Sequence, residues 1–140
     1  MKTMTMTLLT LAATLAISTN KASAQESIVT LKATIPFSFR VGSSQAMLAG
    51  DYRLTRTGVT WRLTNIDTGS GVTRISQKAP GTMETHPKLV FECVANRCSL
   101  SRIHARSAEG DAYWPAPKPN KSDAAESARV VFIPAAATAM

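Results

Sequence analysis

The chain is 140 residues long and carries 16 Lys and Arg against 9 Asp and Glu, for a formal net charge of +7. That length holds one domain with a modest core, and so mild a basic excess is no nucleic-acid-binding signature. With two cysteines and two histidines, and no P-loop, dinucleotide fingerprint, G-x-S-x-G or H-E-x-x-H run, the sequence carries no cofactor or metal motif, and no cofactor or metal is expected.

Residues 1–24 read as a secretory signal peptide. Lys2 supplies the basic start, Leu8 to Ile17 the apolar centre, and Ala22-Ser23-Ala24 an A-x-A cleavage site before Gln25. The apolar run is shorter than the ~20 residues of a membrane-spanning helix, and no later segment approaches that length. The expected product is a single domain, residues 25–140, released into the periplasm or the medium with no membrane span. Cleavage removes Lys2 and Lys21 and leaves a smaller positive excess.

Period-two alternation dominates the middle of the chain. In "TIPFSFRVG" the residues Ile35, Phe37, Phe39 and Val41 fall on one face and Pro36, Ser38 and Arg40 on the other, the pattern of a half-buried strand, with the proline marking an edge or a strand beginning. "DYRLTRTGVTWRLTN" reads as a hairpin turning at Thr57-Gly58, where glycine supplies positive φ. This register sets Leu54 opposite Trp61 and Tyr52 opposite Leu63 on the buried face, and Arg53 opposite Arg62 on the other. Two arginines so placed repel by some tenths of a kcal/mol unless an anion sits between them. Arg53 and Arg62, with Arg40 on a strand of similar pattern, are therefore candidate anion- or partner-binding residues, set against the plainer reading of a solvated face. The expected partner is an anionic envelope polymer or an acidic protein surface.

"DTGS", Asp67 to Ser70, is the tetrapeptide that carries the catalytic aspartate of aspartic proteases, whose chemistry needs two carboxylates sharing a proton. Asn65-Ile66 precedes it where a pair of apolar residues is required, and Gly81 and Gly110 lack the apolar flank of the supporting segment. The same residues make an ordinary interstrand turn. A secreted hydrolase using Asp67 is the alternative to a non-enzymatic domain.

"KLVFECVANRCSLSRIH" reads as two strands turning at Ala95-Asn96. That turn pairs Val94 with Arg97, Cys93 with Cys98 and Phe91 with Leu100. It puts the cysteines in a non-hydrogen-bonded pair, where facing Cα atoms lie roughly 4.5 Å apart, within reach of a disulfide. In an exported protein the oxidised form is expected. His86 and His104 flank this hairpin and belong to no metal motif. Beyond it, Tyr113 and Trp114 are either exposed aromatics for contact with a partner or core residues beneath a loop. Pro115, Pro117 and Pro119 make residues 115–121 an extended connector. Asp123 and Glu126 open a short helical turn, and "RVVFIP" supplies a last strand, Val130 to Ile133, closed by Pro134.

The segments "TIPFSFRVG", "MLAGDYRL", "RLTNIDTGSG" and "KLVFECVANRCSLSRI" together resemble a family of small exported β-rich proteins common in acidobacterial genomes, with a pattern of IPF-x-F-x-VG, LPAG-x-Y and an LVF hairpin leading to L-S-x-I. The likeness runs from about Ala33 to Ile103. Met47-Leu48 stands where that pattern has Leu-Pro, and the family hairpin usually lacks the cysteines. The resemblance implies export and a β-fold, and it brings no catalytic residue with it.

Short alternating runs separated by turn signals predict an all-β domain, an antiparallel β-sandwich or partly open β-barrel of six to eight strands. The expected function is a non-enzymatic exported domain for binding or envelope structure. Intact mass of the exported product should correspond to a chain beginning at Gln25; a product that retains residues 1–24 overturns the signal-peptide reading.

Overall fold

The protein alternates apolar and polar residues along nearly every strand of the computed structural model, which describes residues 28–79, 86–106, 111–115, 117 and 128–138. The expected signal peptide, most of segment 115–121, and the helical turn at Asp123 and Glu126 lie outside the described residues. In chain order the strands are β1 (Val29–Ile35), β2 (Phe39–Val41), β3 (Gly50–Thr57), β4 (Thr60–Asn65), β5 (Gly71–Ile75), β6 (Gln77–Ala79), β7 (Lys88–Val94), β8 (Arg97–His104), β9 (Asp111–Tyr113), β10 (Arg129–Pro134) and β11 (Ala136–Ala137). They form a five-stranded sheet, β11-β1-β3-β4-β5, and a six-stranded sheet, β10-β7-β8-β9-β6, with β2 attached to β8. The sheets are not closed into a barrel, and the sandwich is the correct alternative. The described strands outnumber the six to eight expected because β2, β6, β9 and β11 are only two or three residues long, too short to show alternation in sequence. All pairings are antiparallel except β2 with β8, which is parallel.

One apolar cluster fills the space between the sheets. Leu31, Leu54 and Leu63 come from the first, Leu89, Phe91, Leu100 and Ile103 from the second, and each is at most 1% exposed. Phe39 packs edge-on against Tyr52 at 5.2 Å and Phe91 at 5.4 Å.

The run "TIPFSFRVG" is two strands in different sheets. Pro36 has no N–H to continue the ladder, so β1 ends at Ile35 and the chain crosses over, entering β2 at Phe39 beside Cys98. Ile35, Phe39 and Val41 remain buried and Phe37 is half-buried, because both sheets share the core.

The β3–β4 hairpin also departs from its predicted register. The turn residues are Gly58-Val59, with Thr57 opposite Thr60, Leu54 opposite Leu63, and Tyr52 opposite Asn65. Gly58 has φ of 60°, and a type II′ turn wants glycine at its first central position rather than its second. Arg53 therefore faces Thr64, and Arg62 faces Thr55; the expected Arg53–Arg62 pair does not form.

The β7–β8 hairpin follows its predicted register, with Phe91 opposite Leu100, Cys93 opposite Cys98 and Val94 opposite Arg97. Cys93 and Cys98 are joined by a disulfide, their Cα atoms 4.0 Å apart. A loop this short adds about 2 kcal/mol by chain entropy. Replacing both cysteines by serine should leave the fold intact and lower the melting temperature by roughly 5–10 °C, read by circular dichroism. Loss of all cooperative unfolding would show the bond to be a condition of folding rather than a staple.

Candidate functional site

The outer face of the first sheet gathers cations among threonines. Antiparallel register places Lys32, Arg53 and Thr64 side by side across β1, β3 and β4, and beside them Thr30, Thr55, Arg62 and Thr73. Lys32, Arg53 and Arg62 are exposed. Lys32 stands directly opposite Arg53, a like-charge pair not anticipated from the sequence, and Arg62 lies diagonally across from Arg53. Asp51, the carboxylate that the register adds to the face, accepts a 2.6 Å hydrogen bond from Thr34 Oγ1. Among the described residues no carboxylate forms an ion pair with Lys32, Arg53 or Arg62. Threonine hydroxyls serve as both donors and acceptors, so the face offers fixed charge and adaptable hydrogen bonding together.

Arg40 does not belong to this face. It lies on β2 opposite Ser99 of β8 and is exposed on the outside of the second sheet, across the sandwich from Arg53 and Arg62. The grouping of the three arginines fails because Pro36 sends the chain into the other layer. Trp114 is not an exposed contact residue either. It is 5% exposed, within the core cluster, and its Nε1 donates to the Ile75 carbonyl at 3.0 Å. Tyr113 is half-buried, with the Arg102 guanidinium 5.7 Å from its ring centroid.

Asp67 sits exposed in the loop from β4 to β5. Asn65 organises that loop: its Oδ1 accepts from the N–H groups of Asp67 at 2.9 Å and Thr68 at 3.0 Å, and its carbonyl accepts from Gly69 at 2.9 Å. Gly69 takes φ of 72°, and Thr68 and Ser70 share a hydrogen bond. Each residue of "DTGS" thus has a part in an Asx-type turn.

Two polar groupings were not anticipated from the sequence. His104 and Asp111 are buried on β8 and β9, with Nδ1 and Oδ2 2.6 Å apart. The ring donates to the carboxylate, and the pair links two strands that share only a short ladder. The other grouping is a row across the inner face of the first sheet, where Arg56, Trp61 and Arg74 pair in sequence over β3, β4 and β5. The Arg56 guanidinium lies 5.9 Å from the Trp61 ring centroid, and Arg56 is only 5% exposed. A hint of this row was available: the inward positions of β3 run Tyr52, Leu54, Arg56, so the alternation continues while its apolar character stops.

No helix among the described residues is long and apolar enough to cross a membrane, and no group of three or more His, Cys, Asp or Glu among them is placed to hold a metal. Comparison with known families, with curated proteins and with solved structures gives no match.

The His104–Asp111 pair carries its own test. His104→Ala leaves Asp111 buried without this donor, and leaving a buried polar group unmatched costs about 1–3 kcal/mol. Urea denaturation should show a loss of that order; a loss below about 1 kcal/mol would mean that the carboxylate finds water or another donor.

Proposed function

We propose that this chain is an exported, non-enzymatic β-sandwich that binds an acidic polymer through the outer face of β1, β3, β4 and β5. The observation that carries the reading is the set of exposed cations Lys32, Arg53 and Arg62, held at fixed spacing on sheet backbone with no carboxylate paired to them among the described residues. A polymer suits this surface because the cations are spread over three adjacent strands, β1, β3 and β4, rather than gathered at one point. Guanidinium forks match carboxylate and phosphate groups, and an acidic group seated between Lys32 and Arg53 relieves their mutual repulsion. The Cys93–Cys98 disulfide supports an oxidising compartment, in keeping with export directed by residues 1–24.

Calorimetry with a soluble polyuronate tests the proposal. Arg53→Ser with Arg62→Ser should weaken binding at least fivefold, whereas Arg40→Ser, on the opposite side of the sandwich, should leave it unchanged. Affinity should fall as salt rises, since exposed charges are screened beyond about 8 Å at physiological ionic strength. Full affinity in the double variant, or equal losses from Arg40→Ser, refutes this face as the binding surface. Binding to anionic vesicles or to an acidic protein in place of the polyuronate refutes the ligand class.

A further inference from the structure

We propose that the protein pairs with a second copy of itself through strand β10, edge to edge and antiparallel, about a two-fold axis at Val131. β10 is the last strand of the second sheet, paired with β7 on one side and with no strand among the described residues on the other. Ala135 N–H donates to the Pro87 carbonyl, and the antiparallel alternation that continues from there turns the backbone groups of Ile133, Val131 and Arg129 toward β7. The N–H and carbonyl groups of Val130 and Phe132 therefore point to the open side. The same two residues hold their apolar side chains out on the outer face, 54% and 58% exposed.

Open backbone and exposed apolar surface thus coincide on one edge. Edge strands are ordinarily blunted by charge, proline or a covering segment, and β10 has such protection only at its two ends, from Arg129 and Pro134. The edge strand of the first sheet, β5, is different, because its Ile75 carbonyl is already taken by Trp114 Nε1 at 3.0 Å. Other exposed apolar side chains such as Leu48 and Val59 stand in loops and turns, where no row of backbone groups accompanies them.

A second copy answers each of these features. Antiparallel pairing centred on Val131 sets Val130 of one copy opposite Phe132 of the other, and symmetry repeats the pair, so each takes the position in which two residues exchange both backbone bonds. The four apolar side chains then cover one another on the outer face. On the inner face Arg129 falls opposite Ile133 of the second copy rather than opposite a like charge. Charge on the outer face is complementary as well. Glu92 is the register partner of Val130, and the Lys88 ammonium lies 4.7 Å from the centroid of the Phe132 ring. The two-fold axis that brings Phe132 of the second copy beside Val130 also brings Lys88 of the second copy toward Glu92, which has no ion pair among the described residues.

Sedimentation equilibrium of the intact, oxidised protein between about 1 µM and 1 mM should show a reversible rise from one chain mass to two, the range suited to a short edge-to-edge contact. Val130→Pro removes an N–H that β7 does not use, a change that edge strands accept, and it should weaken association about tenfold while moving the melting temperature by only a few degrees. Glu92→Lys and Lys88→Glu should each weaken it about fivefold, and an equimolar mixture of the two variants should regain the parent's affinity, since the mixed dimer again sets opposite charges together. In hydrogen exchange followed by nitrogen-15 spectra, the Val130 and Phe132 amides should gain protection as concentration rises, while Gly71 and Thr73 on β5 should not. A single chain mass at every concentration overturns the proposal, as does protection gained at Gly71 and Thr73 alone. Parent-like association in Val130→Pro, or a mixture no tighter than either variant by itself, refutes the β10 pairing. A monomer whose Val130 and Phe132 amides are protected only by an added synthetic peptide of alternating valine and glutamate gives the edge to another occupant and refutes the second copy.

Discussion

Phe39 joins the two layers, and the remainder of the sandwich depends on the chain delivering it there. Its ring meets Tyr52 of one sheet and Phe91 of the other edge-on, a geometry worth about 0.5–1.5 kcal/mol per pair beyond burial. Its N–H and carbonyl both bond Met47, at 3.0 and 2.7 Å, while the parallel β2–β8 ladder sets it beside Cys98 on its other side. The Met47 bridge in turn holds the loop into β3, where Tyr52 Oη donates to the Leu48 carbonyl at 2.6 Å. Phe39 can occupy this position because Pro36 releases the chain from β1 three residues earlier. A residue able to extend β1 would compete with the crossing that brings the aromatic cluster together.

The other crossings close the flanks. β5 runs into β6 through Ser76 alone, and β10 into β11 through Ala135 alone, so each open side of the sandwich is stitched by continuous chain. Backbone donors at these corners are matched: Ser76 N–H donates to the Val59 carbonyl at 2.8 Å and Ala135 N–H to that of Pro87 at 3.0 Å. Short links of this kind limit the exposed sheet edge on which unwanted pairing depends. At one end of the sandwich Arg56, Trp61 and Lys78 border a single cavity.

Alternation and turn chemistry made the layers legible, because inward residues such as Leu54, Leu63, Leu89 and Leu100 obey period two whichever sheet they join. The β7–β8 hairpin was readable from its turn as far as Phe91 and Leu100, since a two-residue turn between Val94 and Arg97 sets that register, but the bulge that then pairs Val90 with Arg102 was not. In the β3–β4 hairpin the turn moved by one residue. Such a move changes the pairing sum by two, so every side chain keeps its face while every partner changes. The buried set survived the error, and the Arg53–Arg62 pair did not. What could not be read was the assignment of strands to sheets. Nothing in "IPFSF" distinguishes a bent strand from two strands in different layers, and that distinction sends Arg40 to the far side. Three-residue strands such as β6 and β9 owe their form to neighbours distant in sequence, and the His104–Asp111 pair comes with them.

The placement of charge follows from the same geometry. On a strand, residues three apart lie on opposite faces, so Arg53 and Arg56 of "DYRLTRT" are divided between solvent and interior, as are Arg62 and Trp61 on the facing strand. Arg53 is exposed and its charge is screened by water, which makes it available to a partner without cost to the fold. Arg56 is buried against the Trp61 ring, in a place where a guanidinium is tolerated only with acceptors or a π-face to meet it. Alternation thus puts cations in two settings: an outer face where water screens Lys32, Arg53 and Arg62, and an inner row where the Arg56 guanidinium lies against the Trp61 ring. Because β3 and β4 contribute to both, the sheet that displays the outer cations also carries Arg56 and Trp61 on its inner side.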